Sequence, residues 1–273
     1  MKHVVICADD YGQNQAVSQG IIKLILKNRL TATSCITNSL YWSAHAAWLK
    51  PVCDHVDIGL HFNLTEGQPL SEPYRARYGM VFPSLKKLIF QVLSRQLDAR
   101  IIAEELRAQL DQFSMGMNGH APDFIDGHQH VHHFPIIRQA VLQVYKERFI
   151  GKKAYIRCCA EKIDLARPAA LKRWIIQVLG ARALKQALDL AGIPYNSSFE
   201  GVYSFDRAQY YSAFFPEFLA KVADKGIIMC HPGLHVHDAS DPIAAARFRE
   251  YQYLISDQFL ADCQAKRILL SRF

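Results

Sequence analysis

Short apolar runs alternate along the chain with stretches whose apolar residues recur every three or four positions. His3–Cys7 is a β-branched run, and Asn14–Lys27 follows it with Val17, Ile21, Leu24 and Ile25 on one helical face. Thr33–Thr37 reads as the next strand and Ser43–Leu49 as a short helix stopped by Pro51. His55–Leu64 is a third strand. Ser84–Arg95 and Asp98–Phe113 are helical, the second with Asp98 as N-cap and an Ile102, Leu106, Leu110, Phe113 stripe. Asp123–Gly127 is a strand that enters a histidine-rich stretch, and Pro135–Glu147 is the helix after it. Ala154–Cys158 reads as strand, Pro168–Leu190 as helix with Gly180 inside it, and Ser198–Ser204 as a less regular strand. Arg207–Lys225 is helical with an interruption at Pro216; Gly226–Cys230 (strand), Pro242–Ile255 (helix) and Ile268–Leu270 (strand) complete the pattern.

This is a succession of β-then-α units. Right-handed crossovers force such a chain into a parallel sheet with helices outside, and so many units can close on themselves. The expected fold is α/β, a distorted (β/α) barrel with seven or eight parallel strands, rather than an open doubly wound sheet. No solenoid repeat and no low-complexity linker interrupts it, so residues 1–273 are expected to form one domain.

Composition narrows the class. With 273 residues, 50% hydrophobic and 21% charged, the chain is neither disordered nor collagen-like. No apolar run approaches the ~20 residues of a membrane span. The first one, Val4–Ala8, stops at Asp9-Asp10, too short and too acidic for a signal peptide. Seven cysteines, an odd number without a C-x-x-C pair, read as reduced thiols, which points to a cytoplasmic protein. The net charge of +7 comes from scattered Lys and Arg with no nucleic-acid motif, so no nucleic-acid partner is expected, whereas a homodimer stays open.

Chemistry gathers at the strand ends. Asp9-Asp10 follow the first strand, His61 lies late in the third, and Asp126 and His128 terminate Phe124–Ile125. Arg157 ends Ala154–Ile156, and His231 follows Ile227–Cys230. In an α/β barrel those ends converge on the mouth, so five strands deliver acids, imidazoles and a cation to one rim. One carboxylate and two imidazoles with open positions suit a single divalent ion. Asp10, His61 and one histidine of the His128-Gln129-His130-Val131-His132-His133 stretch, preferably His128, supply that set. Whether His128, His130 or His132 points inward depends on whether the stretch is strand or turn. Asp9 could then take a proton from water and His231 protonate a leaving group, with Arg157 as the rim's cation. That arrangement amounts to hydrolysis of an amide or ester. A non-catalytic metal- or sugar-binding barrel and a phosphoesterase are the competing readings. No nucleophile elbow, P-loop or dinucleotide fingerprint competes.

Ala8-Asp9-Asp10-Tyr11-Gly12, Gly59-Leu60-His61-Phe62-Asn63-Leu64-Thr65-Glu66-Gly67, Asp126-Gly127-His128-Gln129-His130-Val131-His132 and Met229-Cys230-His231-Pro232-Gly233 resemble the signature stretches of the YdjC-like carbohydrate deacetylases (ChbG/HpnK type). The resemblance runs over nearly the whole chain. It implies a distorted (β/α) barrel, Asp10, His61 and His128 as ligands of one divalent ion (Mg2+ or Zn2+), Asp9 as general base and His231 as acid. The implied reaction frees acetate from an N-acetylated sugar, a chito-oligosaccharide or related amino-sugar conjugate, as part of carbohydrate metabolism. Tyr11 stands where the family usually has Phe, and residues 74–120 and 168–195 match no chitobiose-type substrate site. The basic, apolar stretch Lys172-Arg173-Trp174-Ile175-Ile176 would suit an anionic membrane and a glycolipid substrate, although an ordinary barrel helix also explains it.

Overall fold

The computed structural model describes residues 1–151, 153–160, 180–235 and 241–273. Among the described residues, eight strands, all paired in parallel, form one sheet: β1 (Lys2–Tyr11), β2 (Ala32–Cys35), β3 (Asp57–Phe62), β4 (Phe124–Gly127), β5 (Tyr155–Ile156), β6 (Phe199–Glu200), β7 (Gly226–Cys230) and β8 (Ile268–Leu270). The order is β5-β4-β3-β2-β1-β7-β6, with β8 against β1. Val4 pairs with both Gly226 and Leu270, so β8 lies on the edge that β2 occupies further along β1.

Because successive strand side chains point to opposite faces, each strand serves two cores. Val5 and Cys7 of β1 turn inward with Ala32, Phe124, Tyr155, Phe199, Ile227 and Met229 to fill the barrel. Val4, Ile6 and Ala8 turn outward into the layer beneath the helices. Strands apolar on both faces are what a helix-covered parallel sheet requires. Following the inward alternation past the apolar layer leads to Asp9, His61, Asp126 and Arg157, all buried.

The barrel is distorted at one seam. Among the described residues no ladder joins β5 to β6. Asn196 bridges the gap instead: its amide oxygen accepts the Cys158 N–H at 2.8 Å and its nitrogen donates to the carbonyls of Cys158 and Ser198, each at 2.8 Å.

The helices are α1 (Gln15–Leu26), α2 (Trp42–Leu49), α3 (Glu72–Tyr78), α4 (Leu85–Leu93), α5 (Ala99–Gly116), α6 (Pro135–Arg148), α7 (Arg182–Ala191), α8 (Tyr211–Lys221), α9 (Ala244–Ile255) and α10 (Asp257–Ala265). Asn14 caps α1 by accepting the Val17 N–H, and Asp98 caps α5, whose expected stripe is buried. Two helices absent from the periodicity reading, α3 and α10, are short and begin at serine caps, Ser71 and Ser256. The strand expected over Ser198–Ser204 is only Phe199–Glu200, because Gly201 leaves the strand conformation with φ +103°. The helix expected over Arg207–Lys225 is a 3-10 turn, Phe205–Tyr210, followed by α8, which keeps Pro216 inside it. Of the helix expected over Pro168–Leu190, the stretch 168–179 lies outside the described residues, as do Lys152, His237 and the Lys172–Ile176 segment.

Candidate metal centre

Two adjacent acids reach one site because β1 breaks its own alternation. Between Ala8, opposite Thr33, and Tyr11, opposite Cys35, β1 carries one residue more than β2, a β-bulge. Asp10 takes up the extra residue with φ +67°, a left-handed conformation that aspartate tolerates better than most side chains. Asp9 and Asp10 therefore both border a cavity of about 330 Å³ at the barrel mouth, together with His61, His128, His130 and His231.

The acids have different partners. Asp9 is gripped by Arg157, Nη1 to Oδ2 at 2.8 Å and Nη2 to Oδ1 at 2.7 Å. Burial opposes its ionisation, but the guanidinium outweighs burial and lowers the carboxyl to about 2. Arg157 also contacts Asp126, lies beneath the cavity rather than in its lining, and has its own pKa raised because, although burial lowers it, the Asp9 carboxylate outweighs burial. Asp10 is held through Oδ2 by Arg247 Nη2 at 2.8 Å, and Arg247 is anchored in turn by Asp241 and Gln13. Burial of Asp10 is again outweighed, here by Arg247 and His128, and its pKa falls well below the carboxylate range.

That leaves Asp10 Oδ1 facing two imidazoles: His61 Nε2 at 3.4 Å and His128 Nδ1 at 3.0 Å. Donor atoms of Asp10, His61 and His128 all lie within 4.8 Å of one another. The tautomers are arranged from behind. His61 Nδ1 is 2.6 Å from Asp126 Oδ1, which Ser34 also supports through a 2.5 Å hydrogen bond. A proton on Nδ1 leaves the Nε2 lone pair aimed at Asp10. His128 Nε2 is 3.1 Å from Glu66 Oε1. Carboxylates behind imidazoles are the usual outer support of a metal site. Burial lowers the His128 pKa, yet Asp10 and Glu66 overcome it and raise the group to about 9, so the three donors enclose a place that calls for positive charge. The donor set fits a divalent cation. A second trio, Asp9, His61 and Asp126, already has its cation in Arg157.

The histidine stretch is neither strand nor regular helix. Gln129 and His130 are left-handed, φ 52° and 60°, within a 3-10 segment, His128–His133. The turn brings His128 to Asp10, leaves His130 on the cavity wall, and sends His132 away, its Nε2 2.9 Å from the Arg157 carbonyl. Gly127 permits the turn, since a Cβ there would sit 2.8 Å from His132 Nδ1 and 2.9 Å from its backbone nitrogen. His132 and His133 with Cys159 form a further buried group behind the wall, and burial lowers His132 to about 3.

His231 faces the acids from the end of β7. Its Nδ1 is shielded from solvent and without a hydrogen-bond partner, and burial lowers its pKa to about 4, so the ring is neutral. Its backbone N–H donates to Glu250 Oε2 at 2.5 Å, and Tyr203 donates to Glu250 Oε1 at 2.6 Å. All six residues singled out from the sequence thus gather at the mouth or directly beneath it. Sequence reasoning missed Arg247, Glu250 and Asp241, which come from α9 and the loop before it rather than from a strand end. It also assigned no role to Glu66 or Asp126, although both lie inside the stretches it quoted.

The chain is 35% identical over 164 residues to a chitooligosaccharide deacetylase of Proteus mirabilis, covering 56% of this chain and 62% of that one. It is 33% identical over 154 residues to a carbohydrate deacetylase of Homo sapiens, covering 54% and 47%. The match therefore spans less than two thirds of either relative. A crystal structure from Enterococcus faecalis V583, provisionally assigned to cellobiose-phosphate cleavage, shares the fold with a TM-score of 0.74 at 19% identity, covering 99% of this chain and 97% of that one. A family model described as YdjC-like protein matches residues 3–265, and the chain belongs to that family.

Proposed function

We propose that the protein is a metal-dependent carbohydrate deacetylase that removes the acetyl group from an N-acetylated amino sugar. The observation that carries this reading is the convergence of Asp10, His61 and His128 beside an arginine-tethered Asp9, with His231 across the same cavity. Relatives named chitooligosaccharide and carbohydrate deacetylases support it. Asp10, His61 and His128 would hold one divalent cation. Bound there, the cation supplies Lewis acidity, polarising an amide carbonyl and making water more acidic.

The remaining steps fall to the chain's own side chains. Arg157 keeps Asp9 ionised and fixes both carboxylate oxygens, so Asp9 accepts a proton in one defined direction. Near 2, Asp9 is a weak base for neutral solution, and the acidity that a cation held by Asp10, His61 and His128 would lend to water would narrow that gap. Water oxygen adds to the carbonyl carbon, the C–N bond breaks, and the departing nitrogen gains a proton. His231, neutral with one ring proton and one lone pair, is suited to relay that proton rather than store it. The products are acetate and a free amine. A largely apolar outer wall, including Leu85, Ile89, Phe134 and Phe205, favours as a second reading an amino sugar carrying an apolar group, as in a glycolipid.

Acetate release from N-acetylglucosamine oligomers tests the proposal. Asp9→Asn is expected to lower turnover at least about 100-fold with metal content intact, as loss of a general base does. Asp10→Ala and His61→Ala are expected to lose metal and activity together. Stoichiometric metal in both of those variants, or undiminished acetate release by Asp9→Asn, overturns it.

A further inference from the structure

The apolar wall of the cavity does not stop at its rim. Helix α4 buries Leu88 and Val92 in the core and presents Leu85 and Ile89 to the cavity. At about 100° per residue, Leu93 and then Phe90 continue the same arc around the helix. Those two are 70% and 63% exposed, and Met80 and Val81, in the loop leading into α4, are 60% and 63% exposed. The apolar arc thus covers about 200° of the helix, twice what packing one face against a core requires. Lys86 projects between Leu93 and Phe90 on the exposed side, with Lys87 beside it and Arg95 just past the helix end. From Gly79 to Leu97 the chain contains no acidic residue. A surface apolar at its centre, basic at its edge and continuous with a substrate cavity fits an anionic lipid surface, where apolar side chains enter the acyl boundary and lysines meet phosphate.

We propose that α4 and the loop before it dock the protein on an anionic phospholipid bilayer, setting the cavity mouth against the membrane. The proposal goes beyond the deacetylase reading and stands on separate observations. It uses exposed residues of α4 that do not line the cavity.

Sedimentation of the full chain with phosphatidylglycerol-containing vesicles and with pure phosphatidylcholine vesicles tests it. Recovery is expected to be at least about fivefold higher on the anionic vesicles, the effect of even one basic residue near such a surface. Phe90→Asp with Leu93→Asp is expected to abolish binding. Lys86→Glu with Lys87→Glu is expected to remove the preference for anionic lipid, and this pair keeps the test sharp should the first destabilise the fold. Thermal midpoint and acetate release from a water-soluble oligomer are expected to be unchanged in both, which separates this outcome from failure of the deacetylase reading. Absence of binding, equal recovery on the two vesicle types, or binding that survives Phe90→Asp/Leu93→Asp overturns the proposal. So does a concentration-dependent dimer that those substitutions dissociate without any vesicle binding by the native chain.

Discussion

Two neighbouring aspartates, each matched to its own arginine, divide the work of the site. Arg157 takes both oxygens of Asp9, whereas Arg247 takes one oxygen of Asp10 and leaves the other to His61 and His128. On the proposed reading, these chemically identical side chains would become a fixed proton acceptor and a ligand. Truncating either arginine would strand a buried carboxylate, which typically costs about 3–5 kcal/mol. Glu250 adds a pH dependence. Burial is the largest influence on it and raises the carboxyl from 4.5 to about 7, against the opposing hydrogen bonds from Tyr203 and the His231 N–H and the charge of Arg247. The native state therefore holds this proton more tightly than the unfolded chain does. Its stabilising contribution is complete below about 4.5 and is lost as pH rises through about 7. Urea denaturation of Glu250→Gln is expected to show a shallower fall in stability over that window than the native protein, and identical slopes would refute the assignment.

At the scale of elements, two local departures from regularity build the site. The bulge in β1 turns Asp10 to the same side as Asp9, and the left-handed pair Gln129 and His130 folds the histidine stretch so that its members face different ways. Buried Glu105 of α5 steadies the loop carrying Glu66 by accepting the N–H groups of Leu70 and Ser71 at 3.0 and 2.8 Å. Gly127 is one close constraint on the histidine turn. Gly127→Ala forces a Cβ against His132 and is expected to destabilise the fold by about 1–3 kcal/mol, the usual range for overpacking. Metal affinity is expected to weaken as well, because His128 is the next residue; a denaturation curve and a chelator competition read the two effects separately.

At the scale of the molecule, the barrel makes one site from segments far apart in the chain; Asp10 and Arg247 are separated by 237 positions. The seam between β5 and β6 is held by the Asn196 side chain together with a backbone hydrogen bond from the Ile156 N–H to the Pro194 carbonyl at 3.0 Å. Asn196→Ala removes three hydrogen bonds and leaves the Cys158 N–H and carbonyl in the interior without them. Unmet buried polar groups cost about 1–3 kcal/mol each, so a loss of about 2–6 kcal/mol is expected for the two. A thermal melt unchanged from the native protein would mean that the seam is held elsewhere.

The parallel strand–helix succession and the family were legible along the chain, because period-two and period-3.6 patterns are local and the four signature stretches are contiguous. The same locality made Asp9, Asp10, His61, His128, Arg157 and His231 visible, since each lies at or next to a strand end and barrel geometry gathers such ends. The short helices α3 and α10 escaped because one or two turns offer too few repeats to reveal a period. Arg247 and Glu250 escaped because they sit on a helix whose pattern resembles that of any other surface helix; only its packing against the mouth sets them beside Asp10 and His231. The choice among His128, His130 and His132 rested on two left-handed residues, a conformation with no periodic signature. Side-chain identity and spacing are properties of the chain, whereas partners, burial and charge balance arise when distant segments exclude water together. For that reason the candidate residues at the strand ends could be named in advance, and the groups that orient and neutralise them could not.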